Sequence, residues 1–163
     1  MSAQTSLENF RTMLAACPAF RTWAGAADAA AALERIHIVA APEGQPTRPF
    51  CFVYQHVYRL TCEAFNSFSD GGVLAVYFEQ DIDEDDLDDP PAYATTFMDS
   101  MELIMEGLIV LRSTGGYFEF NSLEMEPDSG PRVTSPKYVH DEGNAISATM
   151  FVPWGLGGQW QLR

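Results

Sequence analysis

The run PFCFVYQHVYRLTCEAF, residues 49–65, restricts this chain more than any other stretch. Aromatic and β-branched residues dominate it, and neither glycine nor proline interrupts it after Pro49. That composition fits a pleated strand and resists a helix. With a side-chain period of two, Phe50, Phe52, Tyr54, His56 and Tyr58 fall on one face and Cys51, Val53, Gln55, Val57 and Arg59 on the other. A strand cannot leave its amides unpaired, so it demands a neighbour. Ser69-Asp70-Gly71-Gly72 reads as a turn, and VLAVYFE, residues 73–79, as the antiparallel partner. A hairpin over about residues 50–79 is therefore expected.

The other elements arrange themselves around that hairpin. Thr5-Ser6-Leu7-Glu8 has the form of a capping box, and Leu7, Phe10, Met13 and Leu14 recur at helical spacing until Pro18. Asp28 to Glu34 is alanine-rich and expected to be a short helix, and Arg35 to Val39 a short strand. After Pro90-Pro91, a stripe of Phe97, Met101, Ile104, Leu108 and Leu111 predicts a long helix over about residues 92–113, stopped by Gly115-Gly116. Tyr117 to Glu126 reads as a strand, 127–143 as a mobile loop, and NAISATMFVPWG as a closing strand. The expectation is one domain, residues 1–163, of the α+β class: a mostly antiparallel sheet with a long helix and an N-terminal helix packed on one face.

Charge is concentrated in one place. Glu79, Asp81, Asp83, Glu84, Asp85, Asp86, Asp88 and Asp89 put eight of the 23 acids into eleven positions with no base among them. The other fifteen acids face nine bases, so the rest of the chain is only mildly acidic. An EF-hand loop beginning at Asp81 would place Asp83 and Asp85 correctly. Its sixth position is Asp86 rather than glycine, and its twelfth is Ala92 rather than glutamate, so no calcium site is expected. The acids precede a helix N-terminus, where the macrodipole favours negative charge, and they form a candidate interaction loop. The basic residues are scattered singly, which argues against phosphate-mediated binding of nucleic acid and against an anionic membrane surface. No apolar run is long enough to span a bilayer, and Met1 to Thr5 lacks the pattern of a secretion signal.

Chemical motifs are sparse. Cys17, Cys51 and Cys62 lack the spacing of a disulfide framework or a zinc site and fit reduced intracellular thiols. Cys51 and His56 differ in strand parity, and His37 and His140 have no ligand motif beside them. There is no phosphate loop, no dinucleotide fingerprint and no nucleophile elbow. Neither a catalytic residue, nor a cofactor, nor a bound metal is expected. An unrecognised enzyme site would have to be assembled from dispersed residues, for instance around Cys51, His56 and Tyr58.

The segments SLENFRTMLAAC, FRTWAGAADAAAALERIHI, RPFCFVY, PAYATTFMDSMELIMEGLIVL, GGYFEFNSLEME and AISATMFVPWG together resemble tail-terminator and neck proteins of tailed bacteriophages and prophages. The likeness lies in element order and length and spans most of the chain. It implies a virion structural protein that assembles as a ring, typically a hexamer, between the tail tube and the head connector. Assembly would take place in the host cytoplasm, and DNA would pass through the ring without specific binding. The acidic loop would then face the lumen, where a basic wall would trap phosphate, or dock on a neighbour. Arg21, Arg35, Arg48 and Arg132 are candidate opposite charges across such a ring. Two other readings stand beside this one: a small acidic adaptor for a basic protein partner, and the dispersed-site enzyme.

Overall fold

The structure, a computed structural model, describes residues 3–38, 46–64, 67–82, 89–115, 120, 132–139 and 144–159, with 3, 59–64, 67–70, 90, 113 and 156–159 described by their backbone alone. Helices α1 (Ala3–Ala16), α2 (Pro18–Trp23) and α3 (Ala29–Leu33) lead into strand β1 (Ile36–Ile38). Strands β2 (Phe50–Ala64) and β3 (Ser67–Asp81) follow, then α4 (Pro90–Thr114), β4 (Arg132–Val133), β5 (Lys137–Val139) and β6 (Ala145–Gln159). The strands form one sheet in the order β1-β2-β3-β6-β4, with β5 also on β6. Of the described strands, only β1 runs parallel to its neighbour. The fold is α+β, with α1 and the long α4 on one face of a mostly antiparallel sheet. None of the described helices is long and apolar enough to cross a membrane.

Local chemistry explains the element ends. Cys17 is extended and Pro18 occupies the first position of α2, where its missing amide hydrogen costs nothing. After α2, Gly25 adopts φ 63°, Gly25 N donates to Thr22 O and Ala26 N to Arg21 O, the Schellman arrangement that needs a left-handed residue. Asp28 caps α3 by accepting from Ala31 N at 2.9 Å, and Asp89 caps α4 by accepting from Ala92 N at 3.3 Å. Helix α1 begins at Ala3, so Thr5 lies inside its first turn and is not the cap that the sequence pattern indicated.

The core fills the space between helices and sheet. Phe97, Met101, Ile104 and Leu108 are all 1% exposed or less, as their spacing predicts, and meet Phe10, Met13, Leu14 and Phe20 from the N-terminal helices. The sheet contributes Cys51, Val53, Leu74, Val76, Phe78, Ile146, Ala148, Met150 and Val152, alternate residues of three strands. Each large buried side chain contributes about 1.5–3 kcal/mol of transfer free energy. Where α2 meets α4, a Cβ on Gly107 would stand 2.6 Å from Cys17 Sγ, so the glycine permits that close approach.

Three sequence expectations are corrected. Strands β2 and β3 continue to Ala64 and Ser67, which pair with each other, so Gly71 and Gly72 lie inside β3 and not at the chain reversal. Their role is steric: a Cβ on Gly72 would overlap the carbonyl oxygen of Val57. That carbonyl is displaced by a bulge. Gln55 pairs with Leu74 and Val57 with Val73, leaving His56 as the extra residue. Gln55 Nε2 spans the irregularity, donating to the carbonyls of Val57 and of Val73. The extra residue inverts the parity beyond it. Tyr58 lies against Trp154 on the helix side, while Phe50, Phe52 and Tyr54 occupy the other face. Finally, the segment read as a loop over 127–143 contains β4 and β5, each pairing with β6. The expected strand at Tyr117 to Glu126 lies outside the described residues except Phe120, which is buried against Phe10.

Candidate functional site

The acidic stretch begins inside the sheet. Residues 77, 79 and 81 of β3 point to the face opposite α1 and α4, and residues 78 and 80, followed by Ile82 just past the strand, to the side of these helices. Phe50 pairs with Glu79, so the chain two residues earlier runs opposite Asp81 and delivers Arg48 there. Arg48 Nε donates to Glu79 Oε1 at 2.5 Å and Nη1 to Asp81 Oδ1 at 3.0 Å. Tyr77 donates its phenolic hydrogen to Glu79 Oε2 at 2.6 Å, so both carboxylate oxygens of Glu79 are engaged. Glu79 is 7% exposed, and an unpaired carboxylate that deep would be costly. Burial, and then the hydrogen bond to Glu79, push the Tyr77 phenol up to about 12.

The opposite side of the same strand carries a second relay. Trp23 Nε1 donates to Gln80 Oε1 at 2.5 Å, Gln80 Nε2 donates to Tyr93 Oη at 2.5 Å, and Tyr93 donates to the carbonyl of Asp81 at 2.6 Å. These bonds tie α2, the end of β3 and the first turn of α4 together. The eight candidate loop acids therefore divide. Glu79 and Asp81 belong to a strand and neutralise Arg48, and Asp89 serves α4 as its cap. Asp83, Glu84, Asp85, Asp86 and Asp88 lie outside the described residues. Sequence reading missed Arg48 as their partner because the misplaced turn shifted the hairpin register. The reversal between Ala64 and Ser67, together with the two register shifts of β2, between Cys62 and Ala64 and between Gln55 and Val57, sets Arg48 opposite Asp81.

The remaining arginines proposed as charges across a ring also have local roles. Arg35 Nη1 donates to Thr47 O at 2.9 Å, and the Arg132 guanidinium lies 5.2 Å from the centroid of the Phe151 ring. Arg21 stands in the last turn of α2, where its charge complements the helix dipole.

The dispersed catalytic trio is not brought together. Cys51 is fully buried on the helix side, and desolvation raises its thiol well above the ordinary range. His56 packs on Phe151 across the sheet, ring centroids 5.0 Å apart, and Tyr58 is on the helix side but exposed beside Trp154. Cys17 is also buried, with its thiol raised by desolvation. His37 sits between Phe50 and Phe52, and its pKa is lowered by burial and then by the charge of Arg11. Among the described residues no three His, Cys, Asp or Glu side chains converge as metal ligands would.

Two surface features remain. A groove of about 330 Å³ is lined by Glu34, Arg35, His37, Pro46 and Thr47. Another, of about 380 Å³, lies between α2 and α4 and is lined by Ala19, Thr22, Trp23, Ser100 and Leu103. Beside the second, α4 exposes two large aliphatic side chains one heptad apart, Leu103 at 58% and Val110 at 60%. No protein-family model matches the chain, and no curated protein matches its sequence.

Proposed function

We propose that this chain is a structural protein of a tailed phage or prophage, a ring-forming tail terminator or neck component that joins the tail tube to the head. Besides the resemblance in element order, one observation supports the reading. Three strands of 15 residues each, β2, β3 and β6, run side by side. Each spans about 50 Å, whereas the 25 residues of α4, the longest described helix, span about 37 Å. A described helix therefore cannot shadow the full length of the sheet. β1 pairs with β2 only over Cys51 to Val53, so the outer edge of β2 from Tyr54 to Ala64 pairs with no described strand. An edge of that length is a template for a neighbour, and a head-to-tail ring covers each such edge in turn.

On this reading the partners are further copies of the chain, in the hexamer that the resemblance implies, together with the tail tube and the head connector. The place of assembly is the host cytoplasm and the final location the virion. The internal pairing of Arg48 with the buried Glu79 removes those two charges from the set available between subunits. A salt-sensitive contact through the acidic stretch would then draw on the exposed Asp81 and on the acids from Asp83 to Asp88. Negative-stain microscopy and light scattering of the purified protein test the proposal. Closed rings at high concentration or on tail tubes are expected. A monomer at every salt and protein concentration, with and without tail tube, overturns it.

A further inference from the structure

We infer that the groove between α2 and α4 is a docking site for a basic amphipathic helix of another protein. The groove is lined by the apolar Ala19, Trp23 and Leu103 together with the hydroxyl-bearing Thr22 and Ser100. Leu103 and Val110 stand on one line of α4 because seven residues make almost two turns. They are among the most exposed large hydrophobic side chains of the described residues, on a helix whose opposite stripe is buried to within 1%. Water-facing leucine and valine beside a concave apolar groove is the surface into which a helix lays its own apolar stripe.

Charge decides which helix. Asp99, Glu102 and Glu106 are all exposed and follow the same outer side of α4, on the flank of Leu103 and Val110 away from α2. The complementary ligand carries Lys or Arg along one border of its apolar stripe. Among its described helices, a second copy of this chain offers no such element. The described helices α1, α2 and α4 carry one basic residue each, Arg11, Arg21 and Arg112, and α3 carries none. Arg112 is buried, and Arg11 donates to the carbonyl of Leu33. Two copies meeting through this face would also set acid against acid. The occupant is thus a different protein, and the site does not depend on ring assembly.

A synthetic leucine–lysine peptide with leucines at i, i+3, i+4 and i+7 is the probe, and the same peptide with glutamate for lysine is the control. Binding is followed by calorimetry, and its location by amide shifts in nuclear magnetic resonance spectra. The lysine peptide is expected to bind, to shift residues 19–23 and 99–110, and to weaken as salt rises because the flanking charges are screened over about 8 Å at physiological ionic strength. Leu103→Lys should weaken binding at least tenfold. The exposure of Leu103 leaves the fold intact in that variant, which circular dichroism verifies. Asp99→Asn with Glu102→Gln and Glu106→Gln should flatten the salt dependence while leaving residual apolar binding. The inference is overturned by failure of the lysine peptide to bind, by equal binding of the glutamate peptide, or by an affinity that ignores Leu103→Lys. Shifts confined to residues 83–88, or dimerisation through Leu103 without peptide, overturn it as well.

Discussion

Arg48→Met isolates the consequence of pairing the acidic stretch from within. Methionine keeps the apolar stem of the arginine and removes its charge and donors. Glu79, 7% exposed, then retains only the bond from Tyr77 at 2.6 Å. Breaking one side of a buried ion pair costs about 3–5 kcal/mol, and the surviving charge-assisted bond places this case near 3. Asp81, whose side chain is 64% exposed, adds little because solvent screens its pairing. In a chain of this length such a loss lowers the melting temperature by about 6–12 °C. Adding Glu79→Gln removes the buried charge and should recover most of the loss at pH 7. Urea unfolding followed by circular dichroism at pH 7 measures all three proteins. A loss below about 1 kcal/mol, or a double variant no more stable than Arg48→Met, refutes the argument that Glu79 is held by Arg48.

Three other outcomes follow from the packing and burial. Gly107→Ala should cost up to about 2 kcal/mol, overpacking of about 1–3 kcal/mol against Cys17 Sγ being offset by about 1 kcal/mol of helix propensity. In a Cys17→Ala background the same change should become neutral or stabilising, a reversal of sign that thermal unfolding of the four proteins detects. Ultraviolet titration should show one tyrosine ionising near 12, absent from Tyr77→Phe; the stability conferred by its neutral form is present below about pH 10 and lost as pH rises toward 12. In a Cys62→Ser background, Cys17 and Cys51 should resist a thiol reagent in the native protein and react fully in denaturant; fast native reaction of either would contradict their burial.

Much of this architecture is already decided by local pattern. The apolar spacing from Phe97 to Leu108 compels an amphipathic helix with a buried stripe, because only one face of a helix can leave water. Asp28 and Asp89 cap helices, and Pro18 and Pro90 begin them, since these effects involve only neighbours in sequence. The alternating run after Pro49 is a strand for the same reason. Tertiary structure decided what depends on register. The bulge at His56 and the placement of Gly71 and Gly72 inside β3 arise from pairing between β2, β3 and β6, and a glycine pair reads alike in a turn and at a close backbone approach. Once register moved, Tyr58 changed faces and Arg48 arrived opposite Asp81. Eight acids in eleven positions look like one loop in the sequence, yet Glu79 and Asp81 pair with Arg48 from within a strand while Asp89 caps a helix. Charge is visible residue by residue, whereas the partner of a charge is set by which strands lie side by side.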